Sequence, residues 1–255
     1  MAVEIQQVAD GVYRCADGLV NWYLIADDGE VTLVDAGWPR SWPQIEAAVG
    51  RVGRALPDLR AVLLTHGHPD HLGAAERVRT EAAVPVYAHR DEVARARGEA
   101  SGASPFALVP GLLPHLWRPS AFAFVVHATM HGFMTPRWVG EITAFDGMSP
   151  LDVPGTPEPV RTAGHTAGHV VYHLPDRGVV LAGDALATVD VLTRERGPRL
   201  MPDALNADPV NARNSLALLA ELSGDVLLPG HGDPWRGPIA ETVERARRVD
   251  LASNS

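Results

Sequence analysis

Residues 61–73 read Ala-Val-Leu-Leu-Thr-His-Gly-His-Pro-Asp-His-Leu-Gly, and this stretch decides the fold of the chain. The aliphatic run at 61–64 is typical of a short buried strand. Four side chains with metal-binding groups follow it within six positions: His66, His68, Asp70 and His71. Imidazole and carboxylate groups suit zinc, iron or manganese, so the stretch predicts a metal site. Taken alone, it leaves a solvated polar loop as the alternative.

Three later segments repeat the pattern, because each places a metal-type ligand in a glycine-flanked turn beside an apolar run. The segments are Gly164-His165-Thr166-Ala167-Gly168-His169, Ala182-Gly183-Asp184 and Pro229-Gly230-His231-Gly232. Ligands at the ends of several separate strands can meet at one edge of a sheet, so these segments weaken the polar-loop alternative.

Together the four segments resemble the metallo-β-lactamase-fold hydrolase family in its binuclear version, from about residue 10 to residue 235. The resemblance implies an α/β fold, a four-layer αββα sandwich with two metals at the common edge of its sheets. It assigns His66, His68 and His165 to the first metal, Asp70, His71 and His231 to the second, and Asp184 to a bridge between them. The family's usual Gly-Gly is Gly73-Ala74 here, a departure that concerns helix packing and no ligand.

Two further residues are expected beside the metals. Asp35 ends a predicted strand at 31–37, and the resemblance implies that it hydrogen-bonds a ligand region and orients a histidine. A turn-forming Asp before a glycine is the alternative. His169 is expected to form a hydrogen bond beside the site or to pack as a plain imidazole, and not to bind a metal.

Apolar periodicity predicts the remaining elements. Strands are expected at 3–8, 12–15, 20–26, 84–89, 160–163, 170–174, 179–182 and 225–228. Helices are expected at 41–55, from Asp70 or His71 to about residue 82, and at 210–222 and 238–249.

The whole chain, 1–255, is expected to form one domain with an inserted lid at 98–159. Aromatic and Met residues accumulate in this insert, so it is expected to build a substrate pocket and to contact a second subunit in a homodimer. Three histidines of the insert match no recurring ligand spacing and are expected to pack or to face solvent: His115, His127 and His131.

Composition excludes several classes of protein. A net charge of −9 disfavours a nucleic-acid partner, because phosphate binding needs clustered basic residues. Cys15 is the only cysteine, so neither an intrachain disulfide nor a thiolate cage is available. The sequence shows neither a leader nor a run of about 18 apolar residues, which predicts a cytoplasmic protein without a membrane partner.

The resemblance also implies a reaction. Two divalent ions, zinc as first choice with iron or manganese as alternatives, would share a water molecule and lower its pKa towards about 7. The expected catalyst uses this metal-bridged hydroxide to cleave an ester-like bond of a small acyl substrate, either a lactone or a thioester. Asp70 would carry the proton and Asp184 would hold both ions. An iron-dependent oxidoreductase on the same scaffold and a phosphodiesterase are the alternatives.

Overall fold

A computed structural model describes residues 4–253 of the chain. Its main feature is a pair of packed β-sheets. The first sheet contains seven strands in sequential order: β1 (Glu4–Ala9), β2 (Val12–Asp17), β3 (Val20–Asp27), β4 (Glu30–Val34), β5 (Leu59–Leu63), β6 (Val86–His89) and β7 (Thr143–Phe145). The first four strands pair antiparallel, and each pair from β4 to β7 is parallel.

The second sheet contains five strands in the order β14-β13-β10-β9-β8. Its strands, and those of a separate hairpin formed by β11 and β12, are β8 (Glu158–Arg161), β9 (Val170–Leu174), β10 (Val179–Gly183), β11 (Ala187–Val189), β12 (Arg196–Arg199), β13 (Val226–Pro229) and β14 (Trp235–Arg236). Because β10 and β13 pair in parallel, their carboxyl ends lie side by side.

Seven α-helices complete the described part of the chain: α1 (Trp42–Arg51), α2 (Ala75–Ala82), α3 (Val93–Ala96), α4 (Val109–Leu112), α5 (Pro119–Met130), α6 (Pro209–Ala220) and α7 (Ile239–Ser253). Side chains of α1 and α2 pack on the outer face of the first sheet, and those of α6 and α7 pack on the outer face of the second. The predicted four-layer αββα sandwich is therefore confirmed.

Burial of both faces of each sheet explains why the central strands are almost continuously apolar. In β10, Val179 and Leu181 point between the sheets, whereas Val180 and Ala182 point towards α6 and α7. In β5, Leu63 lies between the sheets and Val62 faces the outer helices. The alternation of side chains along a strand thus places apolar groups in two cores at once.

Some predicted helix boundaries were wrong, among them the end of the first helix, which lies at Arg51 and not at residue 55. The second helix begins at Ala75 and not at Asp70 or His71, because residues 70–74 form turns. The N–H groups of Gly73 and Ala74 donate to the carbonyls of Gly37 and Ala36. These hydrogen bonds hold the segment against the end of β4, so it does not adopt a helical conformation. A Cβ on Gly73 would lie 2.2 Å from the carbonyl carbon of Trp38, so this position requires glycine.

The range 98–159 includes α4, α5 and short 3₁₀ turns, which lie over one end of the sandwich, and also β7, which pairs with β6. Within this range, residues 143–145 therefore belong to the first sheet and residues 158–159 to β8 of the second. The single domain and the limits of the insert stay predictions. Among residues 4–253, no helix is both long enough and apolar enough to cross a bilayer.

Candidate metal centre

Seven buried His and Asp side chains meet at the edge where the carboxyl ends of strands from both sheets converge. His66, His68, Asp70 and His71 follow β5, while the other three follow strands of the second sheet: His165 after β8, Asp184 after β10 and His231 after β13. The structure thus brings together all seven residues that the sequence analysis assigned to metals.

Three imidazoles form the first group. His68 Nδ1 lies 3.1 Å from His66 Nε2 and 2.9 Å from His165 Nε2. Each ring is at most 8 % exposed. Three nitrogens at this spacing can surround a single cation with imidazole ligands.

Asp70, His71 and His231 form the second group, and Asp184 lies between the two groups. Asp184 Oδ2 is 3.3 Å from both His165 Nε2 and His231 Nε2, while Oδ1 is 3.4 Å from His71 Nε2. Asp70 Oδ2 is 3.6 Å from His231 Nε2. One carboxylate therefore faces histidines of both groups.

Hydrogen bonds on the far side of each ring fix which nitrogen faces the centre. His71 Nδ1 donates to Asp35 Oδ2 at 2.8 Å, and His231 Nδ1 donates to the carbonyl of Leu19 at 2.7 Å. His165 Nδ1 donates to Asn206 Oδ1 at 3.0 Å. Because Nδ1 carries the proton in each case, the Nε2 lone pair points into the centre.

The orientation of the His66 ring is fixed in the same way, by two successive hydrogen bonds through the Thr65 hydroxyl. The Thr65 hydroxyl donates to Asp35 Oδ2 at 2.8 Å, so its oxygen accepts from His66 Nδ1 at 3.0 Å. His66 Nε2 therefore also presents a lone pair. Four rings whose Nε2 atoms face inward, together with inward carboxylates, form a site that suits cations.

Two buried atoms in the centre indicate whether its residues are suited to binding metal ions. His71 Nε2 and Asp184 Oδ1 are buried and form no hydrogen bond. Buried polar atoms are rarely left in this state, and a metal ion would satisfy both. The glycine before His231 keeps this space open, because a Cβ on Gly230 would lie 2.3 Å from Asp184 Oδ1. The donor set therefore fits divalent ions.

The pKa values of the centre reflect burial and mutual charge. Burial lowers the pKa of His66 and His68 well below the usual range, and neighbouring histidines lower it further, so both rings are neutral. Burial would also lower the pKa of His71, but Asp184, Asp70 and Asp35 outweigh it and raise that pKa to about 10. Without a metal, the carboxylates would hold a proton in the second group.

The two residues expected beside the metals both contact that centre. Asp35 bonds to His71 through Oδ2 and accepts the Thr65 N–H through Oδ1 at 2.8 Å. His169 Nδ1 donates to the Thr162 hydroxyl at 2.9 Å, and its Nε2 accepts the backbone N–H of Asp184 at 3.1 Å. His169 therefore directs its lone pair at the Asp184 backbone and away from the other donor nitrogens.

Glu92 is a structural partner of the centre that sequence reasoning missed. It is 1 % exposed, and burial raises its pKa. Its carboxylate accepts the N–H of Gly67 at 2.9 Å, the N–H of Gly168 at 2.9 Å and the hydroxyl of Thr166 at 2.8 Å. Glu92 thus joins the turn of His66 and His68 to the turn of His165, although it belongs to no motif.

A pocket of about 730 Å³, including its open mouth, leads from the surface to the centre. His68, Asp70, His165, Asp184 and His231 form its floor. Its walls are almost entirely apolar: Pro105, Leu108, Val109, Leu112, Phe124, Val125, Ala128, Thr129, Phe133, Met134, Met201 and Leu205. Most of these wall residues come from the predicted insert, and none is basic.

Comparison with known proteins identifies the family. The family model described as the metallo-beta-lactamase superfamily matches residues 16–231. The protein named "Probable metallo-hydrolase YflN" of Bacillus subtilis (strain 168) is 32% identical over 260 residues, covering 95% of this chain and 92% of its own. "Probable metallo-hydrolase YybB" of the same organism is 26% identical over 194 residues, covering 73% and 74% of the two chains.

Solved structures show the same fold. The metallo-beta-lactamase family protein TTHA1429 of Thermus thermophilus superimposes with a TM-score of 0.66 and 25% identity, over 96% of this chain and 81% of that one. BJP-1, a subclass B3 metallo-beta-lactamase of Bradyrhizobium japonicum, superimposes with a TM-score of 0.68 and 17% identity, over 99% and 94% of the two chains. The latter similarity concerns the fold alone.

Proposed function

The chain belongs to the metallo-beta-lactamase superfamily, and we propose that it is a metal-dependent hydrolase that holds two divalent ions and cleaves a lactone, a thioester or a related acyl substrate. The observation that carries the proposal is the position of Asp184, whose two oxygens face His71 on one side and His165 and His231 on the other. A carboxylate placed in this way can be shared by two ions.

Zinc is the proposed metal, because imidazole nitrogen predominates among the donors; iron and manganese accept the same ligands. His66, His68 and His165 would hold one ion, Asp70, His71 and His231 the other, and Asp184 both. When bound, the ions would supply an activated water molecule and a Lewis acid for the substrate carbonyl.

Side chains of the protein would carry out proton transfer, bind the substrate and keep the metal ligands in place. Asp70 is 5 % exposed and lies on the pocket floor, where its carboxylate can take a proton and return it to the departing alkoxide or thiolate. The apolar walls would hold an uncharged acyl chain and exclude bulk water from the floor. Asp35 and Glu92 would keep the histidine-bearing turns in place.

The pocket chemistry favours an acyl substrate over a phosphodiester. A phosphodiester would call for Arg or Lys on the walls, and the lining residues include neither. An aliphatic or aromatic acyl group matches the Leu, Val, Phe and Met side chains that form the walls. We therefore propose a substrate whose acyl part is apolar.

A substrate panel tests this function. Lactones, thioesters, β-lactams and phosphodiesters would be offered to zinc-loaded enzyme and to chelator-treated enzyme, with elemental analysis of protein purified without added metal. We expect zinc-dependent hydrolysis of lactones or thioesters with apolar acyl groups. Hydrolysis of phosphodiesters alone would overturn the substrate class, and a coloured iron protein that consumes oxygen would overturn the reaction.

The expected homodimer and the cytoplasmic location stay predictions. The side chains that would form a subunit contact are exposed apolar residues of the insert: Phe106, Leu113, Trp117, Phe122 and Met130. Analytical ultracentrifugation of the wild-type protein and of Trp117→Glu would measure whether this surface joins two copies.

A further inference from the structure

A second cluster of metal-binding side chains lies apart from the centre, where the lid helix α5 meets the first sheet. It consists of Asp17 at the end of β2, His127 in the last turn of α5 and His131 directly after that helix. One donor atom from each of the three residues lies within 4.8 Å of the others. The sequence analysis expected both histidines to pack or to face solvent, and it did not consider Asp17.

Two of the three donors of this cluster are buried and form no hydrogen bond with the part of the chain that the structure describes. Asp17 is 7 % exposed, and its Oδ2 forms no hydrogen bond. His127 Nε2 is likewise buried without a hydrogen bond. An unpartnered buried carboxylate oxygen beside an unpartnered imidazole nitrogen is costly unless a cation lies between them.

The orientation of the His131 ring also favours a cation site. Its Nδ1 donates to the carbonyl of His127 at 2.8 Å, so the neutral ring presents the Nε2 lone pair. That lone pair faces Asp17 Oδ2 at 3.7 Å, a distance beyond hydrogen-bonding range. In the neutral ring both of these atoms are acceptors, and a cation between them would satisfy both.

The two imidazoles are held in a fixed arrangement. Their rings stack with centroids 3.9 Å apart and planes inclined by 18°. The Trp38 ring packs against both, at 5.6 Å from His127 and 5.9 Å from His131. Burial lowers the pKa of His127 and His131 lowers it further; together they outweigh the raising effect of Asp17, so the neutral form of the His127 ring, which can bind a metal, is favoured.

We propose that Asp17, His127 and His131 form a third, structural binding site for a zinc-type divalent cation, which fastens the lid helix to the first sheet. Two imidazoles and a carboxylate are a common protein ligand set for zinc, with water completing the coordination. The position also suits a cation because both histidines lie at the carboxyl end of α5, where the helix dipole is negative.

The site would connect the pocket wall to the metal centre. The same helix, α5, also contributes Phe124, Val125 and Ala128 to the pocket. The turn after Asp17 carries Leu19, whose carbonyl accepts the Nδ1–H of His231. An ion at the proposed site would therefore fix both a pocket wall and the turn that orients a histidine of the centre.

Metal counting tests the site. Chelator-treated protein would be reloaded with excess Zn²⁺, desalted and analysed for zinc per chain. We expect the double variant His127→Gln/His131→Gln to retain one equivalent fewer than the wild type, and the matched control His115→Gln to retain as many as the wild type. Because the readout is a difference, it does not depend on how many ions the centre holds. Equal counts in all three proteins would overturn the proposal.

A measurement on the wild-type protein does not depend on how the variants fold. Crystals grown with Zn²⁺ would be measured above and below the zinc absorption edge. We expect an anomalous peak enclosed by Asp17, His127 and His131, in addition to any peak at the centre. A map that shows zinc at the centre and none at this cluster would show that the cluster holds no metal, and the proposal would fail.

Discussion

His71 donates a hydrogen bond from Nδ1 to Asp35 Oδ2 at 2.8 Å, and this contact directs the opposite ring nitrogen at the metal centre. Asp35 has a left-handed backbone with a φ of 58°, directly after the end of β4. Its carboxylate also accepts two hydrogen bonds from Thr65, so a single side chain aligns the histidine turn and His71.

Replacing Asp35 by Ala should weaken metal binding, because His71 would lose the partner that fixes its orientation. Removal of such a partner typically lowers metal affinity about 10–100-fold. Competition with a chromophoric chelator would measure the change. The control is Asp28→Ala, since Asp28 also has a positive φ but lies exposed in the turn between β3 and β4. Equal zinc affinity in both variants would contradict the role of Asp35.

Asp184→Ala should lower turnover by roughly 10²-fold or more while the protein stays folded, because the shared carboxylate of both ion sites is lost. The variant should also retain fewer equivalents of zinc. Circular dichroism and elemental analysis would accompany the rate measurement. Asp176→Ala is the control, because this exposed residue lies in the turn at the far end of the same hairpin. Full activity in metal-loaded Asp184→Ala would refute the assignment.

Glu92→Gln should destabilise the protein. The Glu92 carboxylate accepts three hydrogen bonds through its two oxygens, whereas the amide of Gln has only one oxygen that can accept. A lost hydrogen bond to a buried charged group costs about 1.5–3 kcal/mol. Denaturant unfolding of metal-free protein would give the free energy of unfolding. The exposed Glu99, changed to Gln, is the control, since its carboxylate pairs with the side chain of the exposed Arg97 at the surface. Unchanged stability of Glu92→Gln would contradict the bracing role.

Neighbouring valines of α5 offer a matched test of the apolar pocket. Val125 lines the pocket, whereas Val126 is 40 % exposed and does not. With substrates of increasing acyl chain length, each buried CH₂ should improve kcat/KM about fourfold, the equivalent of ~0.8 kcal/mol. Val125→Asp should abolish that gain, and Val126→Asp should preserve it. A chain-length series that is flat in the wild type would show that the walls do not hold the acyl group.

Removal of metal should lower the melting temperature. Ions that bind only the folded state stabilise it by mass action, by about 2.7 kcal/mol when the free ion is at 100 times its Kd. Calorimetry of chelated protein with and without added Zn²⁺ would measure the shift. Mg²⁺ should shift the melting temperature far less, because it prefers oxygen ligands and retains its water. Equal shifts with the two ions would argue against an imidazole-rich site.

The grouping of the seven side chains could be predicted from the sequence because they lie in short glycine-flanked turns at strand ends. The apolar runs before these turns identify the strands, and the parallel pairing of β10 and β13 then places Asp184 beside His231. Glu92 could not be found in this way, because its contacts with Gly67 and Gly168 depend on how α3 is placed over the sheet edge.

Tertiary contacts also explain the misplaced start of α2 and the cluster around Asp17. Residues 70–74 have helix-compatible side chains, but backbone bonds to Gly37 and Ala36 hold them in turns. His127 and His131 lie four residues apart at the end of α5, but the third donor of their cluster comes from β2, more than a hundred residues earlier. A local sequence pattern therefore cannot indicate a third donor that lies so far away in the chain.

None of the seven residues of the metal centre lies between residues 98 and 159, although that range supplies most of the pocket wall. The residues of the proposed metal centre and most residues of the proposed substrate pocket are therefore encoded in separate segments of the gene. New substrate preferences could arise by drift or by exchange of one contiguous segment while the hydrolytic apparatus is inherited intact, which makes this region the natural target for directed evolution.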